Sequence, residues 1–215
     1  MKNSIRLLAL ALALIGLTAC ATNNYKKGVD TSAGLQQSAA KIELAKGKMN
    51  EALNALNDLV NNPTNLVAQY ATFSAGVGYL QSHAHDLNAA VQSVQSTGEA
   101  YFKAWDHELT LVQNPDIKKR SADRKMELQQ QFGKIKERYQ ETAAACRPFM
   151  SDLRDIQGVL GTDLTLGGIN VIKPAAEKAN HDAEVLGADV NKLASQLREL
   201  AAALSSVTPP PAKTK

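Results

Sequence analysis

Leu35, Ile42, Met49 and Leu56 recur at intervals of seven residues, and Ala39, Ala45, Ala52, Leu53, Leu59 and Val60 fall on the same face. Apolar residues alternating at spacings of three and four make the seam of a helix packed lengthwise on other helices, because a period of about 3.6 residues returns them to one side. The pattern then repeats. Between Pro63 and Pro115 it runs through Leu66, Tyr70, Phe73, Val77, Leu80, Ala84, Leu87, Val91, Val94, Gly98, Tyr101, Trp105 and Val112, with Glu108 out of register. A third stretch carries Leu128, Phe132, Ile135, Tyr139, Thr142, Cys146, Phe149, Leu153, Ile156 and Leu160 and closes at Gly161. A fourth runs from Ile169 and Ile172 through Ala176, Leu186, Leu193, Leu197 and Leu200 to Val207, ahead of Pro209-Pro210-Pro211.

No stretch reads as a strand. Aromatic residues make up only 5% of the chain, and Ala, Leu, Gln, Lys and Glu dominate, a composition of long helices. Short connections between such helices force antiparallel neighbours, so the expected fold is all-α, an elongated antiparallel coiled-coil-like bundle of about four long helices. The expected single domain spans residues 31–207, followed by a disordered Pro/Lys tail at 208–215. With a first helix over 31–62 and a second over 64–113, a rise of about 1.5 Å per residue makes the second roughly 25 Å longer. The turn at Pro115 is therefore expected to overshoot the first helix. Residues 20–30, polar in character, are expected to form a flexible tether able to absorb that offset. Pro148 falls inside the third seam, where it removes a backbone donor and predicts a kink, the alternative being a helix break near Ala145.

The N-terminus has a different character. Lys2 and Arg6 precede an apolar run from Leu7 to Leu17, and Thr18 and Ala19 lead into Cys20. This is the layout of a secretory signal, with an apolar run shorter than the roughly 20 residues a membrane-spanning helix needs. Leu17-Thr18-Ala19-Cys20 resembles the lipobox of bacterial lipoproteins. That resemblance implies a signal peptide over 1–19, lipid attachment (palmitate among the acyl groups) at Cys20, and membrane association through the N-terminal lipid. Ala21, where an aspartate would resemble the inner-membrane retention signal, implies an outer-membrane anchor facing the periplasm. Without residues 1–19 the chain carries 22 basic against 21 acidic side chains, a formal charge of +1. Such a chain lacks the basic excess that nucleic-acid binding requires. Its two cysteines are Cys20 and Cys146, so lipidation of the first leaves no intramolecular disulfide.

Candidate chemistry is sparse. Glu177, His181 and Glu184 share one face of the fourth helix, and His83, His85 and His107 lie on the second. Carboxylate-bundle sites use Glu-x-x-His pairs aimed inward from two helices, a pattern these residues lack, so no metal site is expected. Cys146 occupies a seam position, where a thiol behaves as a small core residue, an interprotomer disulfide being its alternative role. No nucleophile elbow, Cys-His signature or paired carboxylates mark a catalytic site, no glycine-rich loop marks a phosphate site, and no cofactor is called for. The one local basic excess is Lys118, Lys119, Arg120, Arg124 and Lys125, interspersed with Asp116 and Asp123, just after the turn at Pro115. It is a candidate contact for an anionic surface, weighed against the ordinary reading of a solvated helix face. Trp105 reads as a core residue near the same turn.

The stretches STGEAYFKAWDHEL (96–109) and RYQETAAACRPFMSDLRDIQGVL (138–160), through Trp105, Glu108, Leu109, Pro148, Leu153 and Asp155, resemble a family of uncharacterised bacterial lipoproteins with a long helical domain of unknown function. The resemblance implies a periplasm-facing helical lipoprotein without assigned catalytic residues. The functional expectation is a non-enzymatic scaffold, spacer or adaptor that meets an envelope protein partner or its own copy. The alternative is a binding module for an anionic envelope component through the basic turn at 118–125.

Overall fold

The computed structural model describes residues 18–205, with side chains from Asn24 onward except that of His85. Most of the expected signal peptide, the side chain of Cys20, Val207 and the 208–215 tail lie outside the described residues. Four helices follow one another: α1 (Thr18–Asn61), α2 (Leu66–Leu111), α3 (Pro115–Thr162) and α4 (Leu166–Leu204). Among the described residues there is no strand, and no helix is long and apolar enough to cross a membrane. α1 packs on α2 and α4, and α3 packs on α4 and α2, while the diagonal pairs make no close backbone approach. The chain is therefore an all-α, up-down-up-down four-helix bundle.

Side-chain caps close each connection. Asn65 accepts from the Ala68 backbone N–H (3.2 Å), and Gln69 donates to the Asp58 carboxylate (2.7 Å) and the Asn62 carbonyl (2.9 Å), tying the end of α1 to the start of α2. Asn114 accepts from the N–H groups of Asp116 and Ile117 (3.0 and 3.2 Å), with Pro115 at the first helical position, where its missing donor costs nothing. Thr165 accepts from Gly168 N–H (3.2 Å).

Two expectations are corrected. Residues 20–30 are helical rather than a flexible tether, because α1 begins at Thr18. Gly28, Thr31 and Ser32 are buried there, and a Cβ on Gly28 would stand 3.1 Å from the Tyr101 ring. Thr31 donates to the Lys27 carbonyl (2.7 Å) and Ser32 to the Ala201 carbonyl (2.7 Å), so their hydroxyls enter the core satisfied. The seam thus continues below Leu35 in small and polar residues. As a consequence α1 and α2 have 44 and 46 residues, each close to 65–70 Å long at about 1.5 Å per residue, and the expected overshoot of the Pro115 turn is absent. At Pro148 α3 continues as one helix, without the alternative break near Ala145, and α4 likewise runs through Pro174.

The core falls into two clusters. Toward the α1–α2 turn, Leu53, Leu56, Leu59, Phe73, Phe149, Leu153, Ile156, Leu160, Ile169 and Leu186 pack together. Toward the other end, Leu35, Ile42, Val94, Phe102, Leu128, Ile135, Leu193, Leu197 and Leu200 do so. Between them, α2 has no buried side chain over 78–90 among the described residues, and α3 has none over 136–148.

Candidate functional site

The end of the bundle that holds the N-terminus of α1 also holds the α2–α3 turn and the C-terminus of α4. Asn24 donates to the Glu108 carboxylate (2.7 Å), which sets the start of α1 level with the last turn of α2. Glu108, out of register in the second seam, is explained by this contact. With α1 antiparallel to α2, the backbone at residue 20 stands about one turn beyond Asn24, level with the Val112–Asn114 connection.

The turn is braced from three sides. Trp105 donates its indole N–H to Ser121 Oγ (2.9 Å) and meets the Tyr101 ring edge-on at 5.6 Å, so it is a half-buried structural residue. Lys125 pairs with Asp106, joining α3 to α2. Arg124 donates to the Ala203 carbonyl (3.2 Å), joining α3 to the last turn of α4, and lies 3.8 Å from Glu127. Two members of the sequence-defined basic cluster therefore hold the bundle together. Lys118, Lys119 and Arg120 are exposed, and among the described residues no hydrogen bond or ion pair engages their side chains. Sequence reading missed the apolar residues beside them: Leu111 and Ile117 are each 58% exposed on either side of the turn. Val112, next to Leu111, takes the seam position, which points Leu111 away from the core; that adjacency was the available signal.

The remaining candidates stay dispersed. Glu177, His181 and Glu184 are exposed on α4, and no three His, Cys, Asp or Glu side chains among the described residues come together in a metal-holding group. His83 stacks on Tyr79 (3.8 Å between centroids) and contacts the Tyr79 carbonyl through Nδ1 (3.0 Å), a local arrangement within α2. His107 is exposed. Cys146 is a half-buried free thiol against the first core cluster, and burial raises its pKa, which disfavours the reactive thiolate. A shallow groove of about 590 Å³ between α1 and α4 is lined by Lys46, Asn50, Asn54, Asn180, Glu184 and Asn191. Two of its amides are engaged with neighbours: Asn191 accepts from Lys46 (2.8 Å), and Asn180 pairs reciprocally with Asn57 (2.8 and 2.7 Å).

The family described as "Protein of unknown function (DUF2959)" matches residues 29–203, which spans all four helices. The chain belongs to that family. Searched against curated proteins and against solved structures, this DUF2959 chain matches none. Membership carries no assigned activity, and the matched span starts at Val29, beyond the lipobox-like segment.

Proposed function

We propose that this DUF2959 protein is a lipid-anchored lipoprotein of the outer membrane, facing the periplasm, whose bundle acts as a non-enzymatic scaffold, spacer or adaptor. The observation that carries the reading is the lipobox-like Leu17-Thr18-Ala19-Cys20, whose last three residues open a continuous α1. A chain acylated at Cys20 would stand on the membrane as a rod of about 65–70 Å, at about 1.5 Å per helical residue, with long lateral faces turned to an envelope partner or a second copy. Three acyl chains anchor stably where one is marginal, since each buried methylene contributes about 0.8 kcal/mol. Exposed Leu44, Val171 and Val185 on α1 and α4 offer lateral contact points.

The experiment is an intact-mass measurement on the protein purified from membranes, with an in-cell crosslinking pull-down in parallel and Cys20→Ala as the control. An acylated mass and a stoichiometric protein partner, both lost in Cys20→Ala, are the expected results. An unmodified chain, or turnover that vanishes on substituting one polar residue, would overturn the reading.

A further inference from the structure

We infer that the α2–α3 turn is a bilayer-docking tip, in which Leu111 and Ile117 enter the interfacial layer of an anionic membrane while Lys118, Lys119 and Arg120 bind its phosphate headgroups. Placing a membrane at this end rests on the anchoring proposed above, but the tip has its own structural basis. Exposed aliphatic side chains flanked by cations are the elements of interfacial binding, combining buried apolar area with attraction to anionic lipids. Residues 116–120 carry three basic side chains against the single acid Asp116, a local excess of +2 on a chain that is nearly neutral without its signal segment. The structure separates these cations from their sequence neighbours: Arg124 and Lys125 are turned to Ala203 and Asp106, while Lys118, Lys119 and Arg120 stay at the surface beside Ile117.

Geometry supports docking end-on rather than lengthwise. Leu111 ends α2 and Ile117 lies in the first turn of α3, so both stand at the extremity of the bundle, near the level of Cys20. The Trp105–Ser121, Lys125–Asp106 and Arg124–Ala203 contacts tie α2, α3 and α4 together behind the turn, so the tip is presented as a rigid unit. A tip that holds the membrane at a second point beside the lipid would keep the rod upright, where a lipid alone leaves it free to tilt.

The test uses the full-length protein reconstituted into phosphatidylcholine vesicles, with and without phosphatidylglycerol and with brominated acyl chains in both. The depth probe is Ile117→Trp, compared with Val67→Trp at the opposite end and corrected for the native Trp105 signal. The expected result is quenching of the Ile117→Trp probe at least twofold above that of Val67→Trp in anionic vesicles, falling to the Val67→Trp level when Lys118, Lys119 and Arg120 are changed to Glu. Circular dichroism checks that the variants fold. Flotation on neutral vesicles reports the lipid anchor separately. Flotation on both vesicle types without charge-dependent quenching at residue 117 would overturn the tip and leave the anchor standing. Flotation only on anionic vesicles, with quenching, would overturn the anchor and leave the tip. A chain that floats on neither refutes both.

Discussion

The two halves of the bundle are built from the same four helices but filled with different material. The half near the α1–α2 turn is packed with aliphatic side chains around Phe73 and Phe149, and Leu56, Leu59, Leu153 and Leu160 there are fully enclosed. The half near the N-terminus buries small or hydroxyl residues of α1, Gly28, Thr31, Ser32 and Ser38, and carries a run of rings on α2 and α3. Tyr101 and Phe102 lie 5.4 Å apart between centroids, and Phe102 meets Phe132 edge-on at 5.9 Å. Large rings need room, and α1 and α2 provide it by carrying glycine where a ring crosses: a Cβ on Gly98 would stand 2.4 Å from Phe132 Cζ. Between the halves α2 and α3 have no fully buried residue among the described side chains, and Arg138 Nε and Thr142 Oγ1 on α3 are enclosed without a hydrogen-bond partner. Continuity through this waist comes from α1 and α4, whose Ile42, Met49, Leu186 and Leu193 leave only short gaps. The lesson is that an even seam in sequence does not make an even core.

The sharpest way to break this contrast is truncation in the two regions. Phe149→Ala, in the aliphatic half, is expected to cost about 3–5 kcal/mol, while Leu87→Ala in the waist should cost less than about 2 because Leu87 is only half-buried. Urea unfolding followed by circular dichroism decides it, and equal losses would mean the waist is packed as tightly as the ends. Next come the glycines. Gly98→Ala should destabilise by about 1–3 kcal/mol by driving Phe132 out of place, whereas Gly78→Ala, which meets open space, should stabilise by about 0.5–1 kcal/mol through helix propensity. Opposite signs in thermal melts confirm the close approach; matching signs refute it.

The buried hydroxyls refine the picture of the N-terminal half. Ser32→Ala removes the bond to the Ala201 carbonyl and should cost about 1 kcal/mol. Ser38, equally buried, has no partner and borders a cavity of about 20 Å³, so Ser38→Ala should be neutral or slightly stabilising in the same melts. The smallest effect concerns Cys146. Burial raises its thiol pKa, so the thiol stays protonated to higher pH than an exposed one; the stabilisation this reflects is present below the ordinary thiol pKa and fades as pH rises through the raised value. Iodoacetamide at about pH 8 should therefore alkylate Cys146 more slowly in the folded than in the urea-unfolded chain, and equal rates would show that the waist leaves the thiol open.

Much of this was legible beforehand. Helix number, type and connections follow from seam spacing and from Pro63, Pro115 and Gly161, which act within a few residues of themselves. What escaped reading were places where identity and role part company. Gly28, Thr31 and Ser32 continue the α1 seam, yet none registers as apolar; they are buried because Tyr101 crosses Gly28 and Ala201 accepts from Ser32, partners 73 and 169 residues away. Ala84 and Leu87 keep the seam register but are exposed or half-buried, because α3 offers them no buried side chain at that level. The basic cluster was visible as a cluster, but its division into Arg124 and Lys125 as internal braces and Lys118, Lys119 and Arg120 as free surface depended on Ala203 and Asp106.

By itself, then, the sequence determined the all-α class, the four long helices, their antiparallel order and the lipobox-like start, because periodicity, helix stops and composition are local properties of the chain. Only the tertiary structure decided where the first helix begins, which seam positions are enclosed, and which side chains meet at the Pro115 end. Those outcomes depend on the shape and hydrogen-bonding capacity of residues brought alongside from other helices, and no local pattern records what the opposite helix will present.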